Sequence, residues 1–279
     1  MLNRPDYRNA QSAPLLDELD RAFAAAADDP DVRVIVLSGT GEAFSSGHDL
    51  GTPDQAAWRE SHWPASVTET EAQFDYSWDR FVTYALRWRD LPKPTIAKVH
   101  GWCIFGGWLI ASAMDLVVAA DDTRFLTALL QYFSLPFDVG PRKAKELLFD
   151  AHQIGAAEAL ALGFVSHVVA RDRLDEETDA LAARIAQQPA FYLRMAKLAI
   201  NGAQDAMGFH AAVQSAHAHY QLSQLSTAQW TRRQQAAAGE KAPAAPAAQP
   251  RRLPLVDRIL NATEGEKGRS PGGPQPPRR

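Results

Sequence analysis

The segment Lys93-Pro-Thr-Ile-Ala-Lys-Val-His-Gly-Trp-Cys-Ile-Phe-Gly-Gly-Trp108 constrains this chain more than any other. It reads as a buried strand over Thr95–Val99, a tight glycine turn, and the pair Gly106-Gly107 opening a helix. The first N–H groups of a helix have no intrahelical acceptor, so they face whatever docks there. Glycine suits that place because a Cβ would block close approach of the backbone. A second glycine turn, Phe44-Ser-Ser-Gly-His-Asp-Leu50, follows another hydrophobic strand, Val32–Ser38. Two such turns can together offer two N–H donors to one oxyanion.

The rest of the chain alternates strand-like and helix-like patterns, which predicts an α/β fold with a parallel sheet and crossover helices. Leu15, Leu16, Leu19 and Phe23 recur at helical spacing, as do Phe74, Trp78, Phe81, Ala85 and Trp88. Residues 51–70 are polar, contain proline and show no period, and are expected to form a mobile surface loop. A strand over Asp115–Ala120 follows the helix Gly106–Met114. Further helices are expected over Lys143–Phe149, Ala156–Leu162, Asp175–Gln187, Ala190–Asn201 and Phe209–Leu225. From Ala236 the sequence turns Ala/Pro/Gln-rich and then Gly/Pro/Arg-rich, too poor in apolar side chains to offset the entropy of ordering. Disorder is expected over 236–279, with Leu253–Leu260 apolar enough to dock.

Several function classes are disfavoured. The formal net charge is −4 over 279 residues and no basic cluster marks the core, which argues against a nucleic-acid surface. No apolar run approaches the length of a membrane span, and no leader pattern opens the chain. The single cysteine, Cys103, excludes an internal disulfide and fits a reducing cytoplasm. No Gly-x-Gly-x-x-Gly fingerprint, Gly-x-Ser-x-Gly elbow or metal-ligand spacing of His and Cys is present.

Five collinear elements carry a family resemblance: Leu2-Asn3-Arg4-Pro5, the Phe44–Leu50 turn, the Pro94–Asp115 block, Ala159–Val168, and the helix Pro189–Asn201. Together they resemble the crotonase (enoyl-CoA hydratase/isomerase) family over Leu2 to about Leu225. The resemblance implies an α/β, crotonase-type ββα superhelix over 1–188, then a C-terminal helical trimerisation region over 189–235. It implies a homotrimer or homohexamer, an acyl-CoA substrate, and no cofactor beyond the coenzyme A that the substrate carries. Met1 directly precedes the Leu2–Pro5 motif, where the family has a strand leading in, so either a longer native N-terminus or a shortened strand is expected.

Matched motif to motif, the family's two oxyanion donors fall on the backbone N–H groups of His48 and Gly106. The two glutamates that activate water in the family's hydratases fall on Leu109 and Leu129, and leucine cannot move a proton. Among Leu135–Pro141 the sole carboxylate is Asp138; in an apolar setting its pKa would rise and it could act as a base, although a turn or capping role is the alternative. The His48 imidazole is a second acid/base candidate. Ser46, Trp108, Leu109, Leu129 and Tyr132 are candidates for the substrate-binding wall, with core packing the alternative for Trp108 and Tyr132. Arg4, Arg8 and Lys197 are candidates for the adenosine phosphate, while Asp49 and Asp115 read as structural. The functional expectation is an acyl-CoA enzyme with an enolate-like intermediate. The alternatives are an isomerase, decarboxylase or hydrolase of the same family, or an acyl-CoA-binding protein that has lost its chemistry.

Overall fold

The β-branched and small residues at 95–99 and 116–120 form the centre of a parallel sheet, and their alternation explains why. In the computed structural model, which describes residues 1–63, 66–127 and 130–237 (227–237 as backbone alone), β1 (Ile35–Ser38), β2 (Thr95–Val99), β4 (Leu116–Ala120) and β7 (His167–Val169) pair in that order, all parallel. Ala97, Val99, Val117 and Ala119 join the main core, whereas Ile96, Val118 and Ala120 point to the opposite face. There they meet Leu174 and Leu181 of the helix Leu174–Ala186. Both faces are covered, as the helical crossovers of a parallel sheet require.

A second sheet runs in the order β3 (Trp102–Ile104), β5 (Arg124–Leu126), β6 (Ile154–Gly155). An isolated parallel bridge between Ser45 and Cys103 extends it on the β3 side. Successive chain segments thus give one strand to each sheet: 35–38 then 45, 95–99 then 102–104, 116–120 then 124–126. This repeat has no fixed sequence period because loops and helices of different length separate its turns. The glycine turn at Gly101 (φ +55°) lets the chain pass from one sheet to the other, and a Cβ there would lie 2.0 Å from the Glu42 carbonyl oxygen. Leu2 bridges Gly39 and so tucks the N-terminal motif against the end of β1.

The helices expected at 143–149, 156–162, 175–187, 190–201 and 209–225 are found at Pro141–Asp150, Ala156–Ala161, Leu174–Ala186, Ala190–Ala206 and Phe209–Ala237. Residues 51–70 differ from expectation, because Pro53–His62 is a helix and Glu69 begins another. Capping chemistry replaces the missing apolar period. Asp49 Oδ1 accepts from the N–H groups of Gly51 and Thr52 just ahead of Pro53, at 2.9 and 2.8 Å. Thr68 and Glu71 form a reciprocal capping box. The helix from Glu69 runs through a π turn at Trp78–Thr83 into Tyr84–Arg89. Among the described residues no helix is long and apolar enough to cross a membrane. The expected disorder of 236–279 lies outside the described residues, apart from Ala236 and Ala237, which end the last helix.

Candidate active site

The two glycine turns meet edge to edge. Ser45 N–H donates to the Trp102 carbonyl and Ile104 N–H to that of Ser45, which sets the 44–50 segment alongside β3. A Cβ on Gly107 would sit 2.6 Å from the Ser45 carbonyl oxygen, and one on Gly47 (φ +93°) would sit 3.1 Å from the Gly106 nitrogen. Phe105, just before the pair, has φ +51° and ψ −114°, a conformation that favours glycine. It is strained by the order of 1–3 kcal/mol, held by its N–H on the Leu126 carbonyl at 2.8 Å and by packing against the core.

His48 N–H and Gly106 N–H share one property: among the described residues neither donates to any backbone or side-chain acceptor. Gly106 is the first residue of its helix, where no intrahelical acceptor exists. The neighbours of His48 in sequence are used up. Gly47 carbonyl accepts from Gln11 N–H at 2.8 Å, and Asp49 N–H donates to the Gln11 carbonyl at 3.1 Å. That parallel bridge turns the His48 amide away from Gln11.

The His48 imidazole is gripped on three sides. It stacks on Phe81 with ring centroids 3.7 Å apart, and its Nδ1 lies 3.1 Å from Gln11 Oε1. Its Nε2 contacts the amide of Gln131, a fully buried residue. Burial is the main influence on the ring and lowers its pKa to about 4, with the Gln131 contact opposing, so it is neutral at pH 7. The hydrogen bonds then fix the tautomer. Gln11 Nε2 donates to Ser45 Oγ at 3.2 Å, whose own proton goes to the Asn9 carbonyl at 2.9 Å. Gln11 Oε1 is therefore the acceptor of Nδ1–H, which leaves Nε2 as an acceptor. As placed, it is Gln131 Oε1 that faces Nε2, the orientation in which this contact raises the pKa, and Gln131 Nε2 has no partner; a neutral ring needs a donor there, so the amide is assigned the flipped orientation with its NH₂ toward His48.

The cleft beside this group is lined by Gln11, His48, Arg80, Phe81, Gly106 and Leu109. Leu109 thus lies in the same cleft as the two free amides. Leu129 lies outside the described residues. Trp108 is turned into the core, stacked on Phe164 at 4.3 Å and edge-on to Phe125 at 5.7 Å, which is the packing role the sequence also allowed. Ser46 ties the turn to the N-terminal segment, donating its N–H to the Arg8 carbonyl at 2.9 Å.

Asp138 ends the short helix Leu135–Asp138 and accepts from Ser134 Oγ at 2.7 Å. The residue is only partly covered, yet desolvation of the carboxyl outweighs the Ser134 bond and raises its pKa to about 7. Tyr132, buried edge-on against Phe209 at 5.8 Å, is pushed well above the usual phenol value, by burial first and by the charge of Asp138 second. No hydrogen bond or ring contact joins Asp138 to His48, Gly106 or Leu109 among the described residues. The structure therefore brings His48, Gly106 and Leu109 together and leaves Asp138 with Tyr132 in an adjoining group.

Two of the three phosphate candidates are already engaged. Arg4 pairs with Asp49 at 2.9 Å and with Asp54 at 2.6 Å. Burial pushes Asp49 upward, but bonds from Thr52, Gly51 and Arg4 outweigh it and hold the carboxyl below its ordinary range. Lys197 pairs with Asp115 at 2.9 Å. Arg8 alone stays exposed with no ion pair among the described residues. Sequence reasoning missed Gln11, Gln131, Phe81 and Arg80. A polar residue at 131 inside the apolar run 125–137 was a signal for one of them.

A Cβ on Gly106 would meet Gln11 Oε1 at 2.3 Å and His48 Nδ1 at 2.6 Å. Gly106→Ala is therefore expected to break the Gln11–His48 contact and to destabilise the fold by about 1 kcal/mol or more. Thermal denaturation checks this, and an unchanged melting temperature would refute it.

The family model described as Enoyl-CoA hydratase/isomerase matches residues 1–236. The structure resembles that of a probable enoyl-CoA hydratase from Mycobacterium thermoresistibile, with TM-score 0.71 and 43% identity over 79% of this chain and 89% of that one. It also resembles an enoyl-CoA hydratase/isomerase from Xanthobacter autotrophicus Py2, with TM-score 0.71 and 31% identity over 79% and 81%. In sequence the chain is 35% identical to enoyl-CoA hydratase domain-containing protein 3, mitochondrial, from Xenopus laevis, over 71% of this chain and 69% of the relative. The chain belongs to the enoyl-CoA hydratase/isomerase family and has its crotonase fold.

Proposed function

We propose that this enzyme holds the carbonyl oxygen of an acyl-CoA thioester between the N–H groups of His48 and Gly106 and stabilises enolate-like charge there. The observation that carries the reading is that both amides lack an acceptor among the described residues and that both residues line one cleft. Each donor placed on a developing oxyanion lowers a barrier by a few kcal/mol. The reaction is one other than glutamate-driven hydration, because Leu109, where the family resemblance expects a glutamate, offers no proton acceptor. Isomerisation, decarboxylation and hydrolysis of a thioester all use the same oxyanion site. Coenzyme A enters as part of the substrate.

A CoA thioether such as S-butyl-CoA keeps the shape of butyryl-CoA but has no carbonyl oxygen. It should bind roughly tenfold or more weakly, since two hydrogen bonds are lost. Equal affinity would remove the two amides from the site. Hydration of crotonyl-CoA should be very weak, and brisk turnover by the wild type would overturn the reading of the leucines.

Asp138 is the best remaining base, because a carboxyl with a pKa of about 7 can both take up and release a proton near neutrality. Turnover should then rise with pH through about 7, and Asp138→Asn should cut it by ~10²-fold. The stability sign is separate. A pKa raised from 3.8 to about 7 gives a contribution that is full below 3.8 and lost as pH rises through 7. The Asn variant escapes that loss, so it should melt higher than wild type above pH 7 and approach it as pH falls. Full activity with the same pH–stability profile as wild type would return Asp138 to a turn role.

The assembly we propose is a homotrimer or a dimer of trimers. The helix Ala190–Ala206 buries no residue, and it exposes Phe191, Tyr192, Leu198 and Ile200. Phe191 is 72% exposed and Ile200 68%, an unusual cost for one helix unless a second copy covers it. Light scattering should report the oligomer, and Phe191→Glu with Ile200→Glu should dissociate it. A wild type that stays monomeric at micromolar concentration would refute the assembly.

A further inference from the structure

Part of the cleft wall is built by an irregular turn. Residues Trp78–Thr83 form a π turn between the helices Glu69–Ser77 and Tyr84–Arg89. A π turn widens a helix by placing an extra residue in one turn, and such turns recur at functional sites. Both Arg80 and Phe81 line the cleft with His48, Gly106 and Leu109.

Arg80 is an unusual residue for such a place. Its side chain is 14% exposed, and its guanidinium lies 4.4 Å over the Trp58 ring and 5.3 Å over that of Tyr76. One edge is satisfied by Asp17, with Nη2 to Oδ2 at 3.0 Å, while Nε is buried and has no acceptor. Arg59 stands in similar fashion, over Trp63 at 5.2 Å with its own Nε buried and unaccepted. Both cations act on the Tyr76 hydroxyl. The arginines nearby have carboxylate partners: Arg87 with Asp20, and Arg4 with Asp49 and Asp54. Arg59 has no ion pair among the described residues, and the adjacent acids Glu60 and Asp79 are exposed. Of the two guanidinium groups only Arg80 has a carboxylate, Asp17, and Asp49 also acts on Tyr76. The wall thus keeps two buried guanidinium donors without an acceptor, each costly to leave unmade.

Resting on the acyl-CoA reading above, we infer that the cleft selects acyl groups carrying a carboxylate, which Arg80 binds while the thioester carbonyl sits at His48 and Gly106. A carboxylate oxygen at Arg80 Nε would satisfy the orphaned donor. Charge-assisted bonds to a guanidinium are about twice as strong as neutral ones. Arg59 supplies a second positive charge without having to touch the ligand. An anion of the coenzyme itself, a phosphate, has the same chemistry and is the competing source.

Calorimetric titration of the full chain with butyryl-CoA and its ω-carboxy counterpart succinyl-CoA separates the two. Wild type should prefer succinyl-CoA by about tenfold to a hundredfold. Arg80→Met should abolish that preference by weakening succinyl-CoA at least about tenfold more than butyryl-CoA, whereas Arg80→Lys should keep part of it. Succinyl-N-acetylcysteamine, which lacks the coenzyme's phosphates, should still compete for the wild-type site and not for Arg80→Met. If Arg80→Met fails to fold because Asp17 is left unpaired, Arg80→Met with Asp17→Asn removes both charges, and the wild-type preference stands as its own readout. Equal binding of both thioesters by wild type would overturn the inference and leave the acyl-CoA reading intact. An equal loss of both in Arg80→Met would assign the arginine to a phosphate and overturn it too. Binding of neither thioester would overturn the acyl-CoA reading itself, and this inference with it.

Discussion

Close backbone approach between two turns is the constraint on which the rest of this structure depends. The 44–50 segment and the start of the helix Gly106–Ser112 lie so near that a Cβ at Gly47, Gly106 or Gly107 would overlap its neighbours. That contact joins the second sheet to the 44–50 segment through the Ser45–Cys103 bridge. It also brings the two residues with unaccepted N–H groups, His48 and Gly106, to the lining of one cleft. At Gly106 the close packing and an unaccepted amide coincide, whereas the Gly47 N–H is taken by Ser45 Oγ at 3.2 Å. The strain stored at Phe105 belongs to the same place, where a bulky residue occupies a conformation that suits glycine.

Around those amides the side chains are polar and largely uncharged. Gln11, Gln131 and a neutral His48 form a chain in which every assigned hydrogen bond has a donor and an acceptor. Moving the ring toward the substrate would cost two hydrogen bonds and the Phe81 stack. The imidazole is therefore better suited to fixing the 48 backbone than to carrying a proton. Its low pKa follows from that role, because burial without a carboxylate partner disfavours the charged ring.

The sequence made the framework legible where a residue's chemistry allows few conformations. Gly106-Gly107 after a β-branched strand, and the second turn at Phe44–Leu50, led to the two amides, and both are unaccepted in the fold. Apolar periodicity located the C-terminal helices to within a few residues at their starts. It failed over 51–70, where end-capping by Asp49 and by the Thr68–Glu71 box stabilises helices of low apolar content. It could not reveal β3, which directly follows a glycine turn and has three residues. Side-chain partners were less legible still. Arg4 and Lys197 looked available for a phosphate, and only three-dimensional pairing with Asp49 and Asp115 uses them up. Gln11 and Gln131 are far apart in sequence and meet on one imidazole, a relation that no local pattern encodes.

The π turn is the clearest case of information that periodicity erases. Phe74, Trp78, Phe81, Ala85 and Trp88 follow the spacing of an ordinary helix, a pattern in which Arg80 carries no signal. The wider turn at Trp78–Thr83 changes that registry and sets Arg80 in the same lining as Phe81, with its charge stacked on Trp58 and Tyr76. Irregular helix geometry is not favourable in itself, so the turn is held by what it packs: Phe81 on His48, Arg80 on Asp17, and Tyr84 OH on the same Asp17 at 3.0 Å. Each of these contacts reaches either the cleft or the helix Ala13–Asp28 that walls it. The backbone irregularity, the unaccepted guanidinium donor and the leucine at 109 therefore have one consequence in common. In the proposed reading both the amides and Arg80 act on negative charge in this cleft, and among the described residues its lining, from Gln11 to Ile110, contains no carboxylate.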